Sequence, residues 1–154
     1  MLDDGLNLTT IELDEGEKIP DDLKKFDGMF CMGGPMDTYM EKEYPWLIEE
    51  KKKIKEFVVD LKKPYLGFCL GCQLLGEVVG GKVVKSNPAE IGIMDINFTE
   101  NKKEDTLFSK FPDNIKSLQW HSYEVQGIEK NPDITLLASS PVTKYQIFKY
   151  RNYA

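Results

Sequence analysis

The sequence predicts an α/β layer architecture with a parallel-rich sheet flanked by helices, and three observations carry that prediction. Short, almost wholly apolar runs at residues 29–32 and 64–68 pass into glycine-rich turns, as buried parallel strands do. Between them, residues 44–62 repeat apolar side chains at helical spacing. The order strand, helix, strand, helix is that of a parallel sheet covered by helices, where functional residues sit at the carboxyl ends of strands.

Taken in order, residues 8–13 carry β-branched side chains in loose alternation and read as a strand. Pro20, Asp21 and Asp22 open a short helical turn that runs to Phe26, with proline and acids where a helix start favours them. Asp27 and Gly28 punctuate before the strand at 29–32, which ends in Gly33-Gly34-Pro35-Met36. In the helix at 44–62, Leu47, Ile54, Phe57, Val58 and Leu61 share one face and Glu and Lys take the other. A strand at 64–68 leads into a turn at Cys69 and a helix from Leu70 to about Val79, stopped by Gly80-Gly81. Residues 82–85 and 91–98 read as two strands separated by a turn at Asn87-Pro88, and 99–105 as a polar loop. Residues 117–125 read as a strand or strand pair, and 134–138 and 145–150 as two closing strands around Ser139-Ser140-Pro141.

The 154 residues have the length of a single domain with a real core, so 1–154 is read as one domain. A formal charge of −6 argues against a nucleic-acid surface, and the Lys51-Lys52-Lys53 run is interleaved with acids as on a solvated helix face. No apolar run approaches the roughly 20 residues of a membrane span. The start Met1-Leu2-Asp3-Asp4 lacks the basic and apolar regions of a signal peptide. With three cysteines and no disulfide framework, a reducing, cytoplasmic setting is expected.

The chemistry concentrates at Gly67-Phe68-Cys69-Leu70-Gly71-Cys72-Gln73. Gly67 and Gly71 flank Cys69 where a side chain would crowd a tight strand-to-helix turn, the cysteine counterpart of a nucleophile elbow. Such a turn sets backbone N–H groups and the positive end of a helix dipole beside the sulfur. One reading is a cysteine nucleophile for acyl transfer, with oxyanion donors from Leu70 and the Gly33-Gly34 turn. A second is thiol–disulfide redox chemistry by Cys69 and Cys72, a C-x-x-C at a strand-to-helix turn, although Gly67 and Gln73 have no role in it. Metal binding is weaker, because there is no second C-x-x-C and only one histidine. Cys31, inside an apolar strand, reads as a small buried side chain.

The cysteine stretch resembles the G-x-C-x-G-x-Q motif of the class I (triad-type) glutamine amidotransferases. Met32-Gly33-Gly34-Pro35-Met36 resembles that family's oxyanion loop. Glu43-Tyr44-Pro45-Trp46-Leu47, Glu90-Ile91-Gly92, Trp120-His121-Ser122 and Ala138-Ser139-Ser140 resemble its GMP-synthase-like stand-alone subgroup. The resemblance implies a flavodoxin-like α/β fold and hydrolysis of the glutamine side-chain amide through a cysteinyl thioester, with ammonia passed to an acceptor synthase domain or subunit. It implies Cys69 as nucleophile, Gly34 and Leu70 as oxyanion donors, and Gln73, Ser122 and Tyr123 against the substrate glutamine, with no cofactor or metal.

The resemblance also implies a histidine and a glutamate in a motif like F-H-P-E, beyond a strand like 146–148. The sequence holds no such motif, and its single histidine, His121, falls in the substrate segment. The family's first strand likewise has little room ahead of residue 8. The expectation is a chain lacking the first strand and the catalytic His/Glu segment, a fragment with little activity of its own. A non-catalytic subunit that binds glutamine or a partner is the further alternative.

Overall fold

A computed structural model describes residues 5–154 of the chain. Two apolar runs become strands β1 (Met29–Cys31) and β2 (Tyr65–Gly67), paired in parallel with Met29 opposite Tyr65 and Cys31 opposite Gly67. Parallel neighbours need a long crossover, and helix α1 (Trp46–Lys55), prolonged by a π-helical turn at Glu56–Asp60, supplies it. The helix holds Glu49 in its first turn and Lys52, Lys53 and Lys55 in its last, matching the sign of the helix dipole at both ends. The stripe expected from the periodicity faces inward: Leu47, Ile54, Phe57 and Val58 are fully buried, while Leu61 is only partly covered.

Helix α2 (Leu70–Val78) follows β2 closely and is the wedge of the molecule. Leu70, Leu74 and Leu75 enter the core, and the buried Tyr65 hydroxyl donates to the Gly71 carbonyl at 2.8 Å, tying β2 to the first turn of α2. On the far side, a Cβ on Gly76 would come within 2.6 Å of the Val125 methyls, so the absence of a side chain there lets the second sheet approach.

That second sheet corrects the expectation of a parallel-rich architecture. Strands β3 (Lys82–Phe98), β4 (Asn114–Gln126), β5 (Ile134–Ser139) and β6 (Ile147–Tyr150) form a four-stranded antiparallel sheet in the order β4-β3-β5-β6. Parallel pairing is confined to β1 and β2 among the described residues. The reason is connectivity: beyond α2 no helix long enough for a crossover intervenes, so successive strands turn back on one another. The two strands expected at 82–85 and 91–98 are one 17-residue strand whose pairing with β4 is irregular between Lys85 and Glu90, where the turn was expected.

Two further local expectations change. The strand expected at 8–13 does not form; the chain there is irregular and tightens into a 3-10 turn at Leu13–Glu15. With no partner strand alongside, β-branched side chains do not make a strand by themselves. The polar loop expected at 99–105 is a 3-10 turn over Glu100–Glu104, where the Lys102 stem is buried and its ammonium reaches Asp113 at 2.7 Å. The helical turn expected before Phe26 is present at Leu23–Lys25, with the Asp22 carboxylate accepting from the Lys24 amide. The expectation for the extreme N-terminus touches residues 1–4, which lie outside the described residues. Among the described residues, no helix is long and apolar enough to cross a membrane.

Candidate functional site

The site begins with backbone strain. Cys69 stands between β2 and α2 at φ 51° and ψ −106°, a conformation costly for any residue with a Cβ. The turn is held by hydrogen bonds around it: the Phe68 amide donates to the Cys31 carbonyl at 2.9 Å, and the Gln73 amide donates to the Cys69 carbonyl at 3.1 Å. Both flanking glycines are required by close approach. A Cβ on Gly67 would lie 2.5 Å from the Gly71 carbonyl carbon, and one on Gly71 would lie 2.8 Å from that of Cys31. The thiol that results is exposed at the N-terminus of α2. Leu70, the first residue of that helix, carries one of the N–H groups that a helix start leaves without an intrahelical acceptor.

The loop after β1 comes up beside this turn. A Cβ on Gly33 would lie 3.2 Å from the Cys69 Cβ and 3.8 Å from its Sγ, so the Gly33-Gly34 backbone abuts the cysteine. The two glycine-rich stretches thus meet at the carboxyl ends of the parallel pair, as expected for an α/β sheet.

A cleft of about 300 Å³ opens over Cys69, and Gly34, Leu70, Gln73, Ser122 and Tyr123 all line it. Every site residue expected from the sequence therefore contributes to one surface. The geometry adds residues that sequence reasoning missed. Asp37, Ile91 and Trp120 complete the rim. Tyr39 donates to Asp37 Oδ2 at 3.0 Å, and its hydroxyl meets that of Tyr123 at 3.1 Å. The hydrogen bonds to Tyr123 and Asp37 hold the Tyr39 phenol above its usual range. Nothing in the periodicity marked Tyr39, because its contact with Tyr123 joins positions 84 residues apart.

The far wall of the cleft comes from β4 and is tied to α2 by side chains. Gln73 Nε2 donates to the Tyr123 carbonyl at 3.1 Å, and His121 Nδ1 lies 3.0 Å from the same oxygen. His121 Nε2 faces Glu90 Oε2 at 3.3 Å, and Glu90, its cross-strand partner on β3, is fully buried.

The three thiols are in different situations. Cys72, one turn into α2, borders a cavity of about 60 Å³ beside Cys69, with Thr143 and Gln146 opposite. Burial, and then the neighbouring Cys69, push its thiol up to about 12. Cys31 is buried on β1, as expected, and donates to Glu50 at 3.1 Å. Burial, followed by the Glu50 charge and the hydrogen bond to it, raises that thiol far above its ordinary range, which disfavours the nucleophilic thiolate. Cys31 does not line either cavity. Among the described residues, no three His, Cys, Asp or Glu side chains come together as a metal site.

Comparison with known proteins fits this geometry. The model of the family described as glutamine amidotransferase class-I matches residues 2–151. The chain is similar to a glutamine-hydrolyzing GMP synthase subunit of Sulfolobus acidocaldarius, at 32% identity over 130 residues, covering 84% of this chain and 63% of that protein. It is similar to the corresponding subunit of Saccharolobus solfataricus at 32% identity over 136 residues, covering 88% of this chain and 66% of that protein. Among solved structures, a glutamine amidotransferase from Thermotoga maritima superposes with a TM-score of 0.87 at 27% identity, covering 99% of this chain and 64% of that one. The protein SMU.1228c superposes with a TM-score of 0.86 at 31% identity, covering 97% of this chain and 63% of that one. The chain thus spans a little under two thirds of the length of these relatives.

Proposed function

We propose that this chain, which belongs to the class-I glutamine amidotransferase family, attacks the side-chain amide of glutamine with Cys69 and releases ammonia toward an acceptor. The Cys69 sulfur bonds to the amide carbon, and the carbonyl π pair moves to oxygen. The resulting oxyanion is held by the N–H groups of Leu70 and Gly34. The proton given up by the thiol passes to the amide nitrogen, so that collapse expels ammonia and leaves a thioester, which water cleaves to glutamate and the free thiol. Gln73 lies beside the substrate glutamine, and Ser122 and Tyr123 hold its α-amino and α-carboxylate groups. Residues 1–154 belong to one type-1 amidotransferase domain, of which they are a part.

The observation that carries this reading is the meeting of a strained, exposed cysteine with the Gly33-Gly34 backbone in the cleft that Gln73, Ser122 and Tyr123 also line. The names of the similar proteins favour an acceptor synthase in the manner of a GMP synthase. The single histidine bears on rate. Both ring nitrogens of His121 face other partners, Tyr123 and Glu90, so His121 is not the base for Cys69. The 154-residue chain is expected to turn glutamine over slowly for want of a free imidazole and its orienting carboxylate.

A glutamine-analogue chloroketone tests the assignment. It should alkylate Cys69 with saturable kinetics, glutamine should protect, and Cys69→Ser should abolish labelling while Cys72→Ser leaves it intact. Labelling that does not saturate, or that survives Cys69→Ser, refutes the reading. The thiol–disulfide alternative requires Cys72 as an exchanging thiol. Its partly covered position beside Cys69, with a thiol pushed up to about 12, disfavours that role.

A further inference from the structure

The sheet ladder that should hold the far wall of the cleft is interrupted where the cleft needs it. Pairing of β3 with β4 runs regularly from Lys82 opposite Gln126 to Lys85 opposite Tyr123, then resumes at Glu90 opposite His121. Ser122, between the two, has no ladder partner in this register. Backbone hydrogen bonds therefore do not define the position of the wall at Ser122, and side chains take over.

The side chains form a chain of contacts with a definite proton requirement. Gln73 Nε2 and His121 Nδ1 both approach the Tyr123 carbonyl oxygen, at 3.1 and 3.0 Å. A carbonyl oxygen only accepts, so Nδ1 must carry a hydrogen. The opposite nitrogen, Nε2, then faces Glu90 Oε2 at 3.3 Å. With no proton between Nε2 and Oε2, a bare lone pair would oppose a carboxylate in the interior. Glu90 would bear that cost in full, because it has no solvent contact and no other group donates a hydrogen bond to either of its oxygens. A buried carboxylate without a compensating partner is strongly unfavourable.

We propose that His121 Nε2 and Glu90 Oε2 share one proton, and that this pair is a positioning device. It clamps the Tyr123 carbonyl beside Gln73 and so sets the distance between the β4 wall and the Cys69 turn. The pair takes no part in the chemistry at the sulfur. Its functional consequence rests on the amidotransferase reading; its protonation does not.

The chain has one histidine, so nitrogen NMR of protein carrying labelled histidine reports this ring alone. At neutral pH Nδ1 should give the signal of a protonated nitrogen, and Nε2 should not give that of a free imine nitrogen. A bare nitrogen in the unmodified protein overturns the proposal, and this arm needs no variant to fold. In the second arm, Glu90→Gln should raise the concentration of glutamine-analogue chloroketone giving half-maximal labelling by about tenfold. The limiting rate of labelling, and the rate with iodoacetamide, which needs no glutamine site, should change little. Equal half-saturation in the two proteins overturns the positioning role. Failure of the unmodified protein to saturate refutes the amidotransferase reading instead, and the NMR result still decides the pair.

Discussion

Replacing Gly71 by alanine tests whether the cleft depends on contact between α2 and β1. A methyl at this position would lie 2.8 Å from the Cys31 carbonyl carbon and 2.9 Å from its Cβ, and closer still to the Cys31 carbonyl oxygen. These are backbone atoms and a β-carbon of a buried strand, so no flexible side chain can swing away. Relief requires the first turn of α2 to lift by roughly 1 Å to regain ordinary carbon–carbon separation. Overpacking of this kind costs about 1–3 kcal/mol, against which alanine's better helix propensity returns about 1 kcal/mol. The net loss of stability should therefore be modest, about 1 kcal/mol, readable from urea denaturation. The effect on the site should be larger. A shift of about 1 Å carries Cys69 and the Leu70 N–H away from the Gly33-Gly34 loop, and misplacement on that scale costs about a hundredfold in rate. Limiting labelling of Cys69 by the chloroketone should fall by about that factor, while iodoacetamide still reaches the exposed thiol. A Gly71→Ala protein with unchanged stability and unchanged chloroketone labelling would refute the reasoning, because the close approach would then constrain nothing.

Two further outcomes follow from the same geometry. Under native conditions near neutral pH, a disulfide reagent should modify the exposed Cys69 rapidly, Cys72, which is partly covered with its thiol pushed up to about 12, more slowly, and the buried Cys31 only on unfolding; modification of Cys72 or Cys31 as fast as that of Cys69 would contradict this order. Asp105 is 6% exposed; burial works to raise its pKa, but the hydrogen bond from Lys149, with those from the Leu107 and Phe108 amides, outweighs it and holds the carboxyl below its ordinary value. A depressed folded-state pKa contributes stability that is present above the unfolded value of about 3.9 and is lost as pH falls through the folded one. Asp105→Asn should therefore lose stability at neutral pH and flatten the acid limb of the urea-midpoint profile below about pH 4, and an unchanged acid limb would refute the assignment.

Much of the site was legible in the residues because its demands are local. Gly67 and Gly71 around Cys69 reflect a turn whose constraints fall within a few residues, and so does the strain at Cys69 itself. The apolar stripe on α1 was legible for the same reason, since helical period is a property of neighbours in sequence. Ser122 and Tyr123 came through family resemblance, and no periodicity placed them. The contacts of Tyr39 and Glu90 with the far wall were not legible, because each depends on a partner distant in sequence.

What the sequence determined by itself is the cysteine turn, the helix before it and the glycine loop that can approach it. What only the tertiary structure decided is how strands find partners. Residues 8–13 have strand character but no partner strand among the described residues, so they remain irregular. Residues 82–98 have a break in character but pair with the same strand on both sides of it, so they form one long strand with an irregular stretch between Lys85 and Glu90. The antiparallel sheet, the pressing of α2 between the two sheets at Gly71 and Gly76, and the meeting of Glu90 with His121 all arise from this pairing. Side-chain period specifies which face of a strand is buried, whereas direction and register depend on connections and on surfaces brought together from afar.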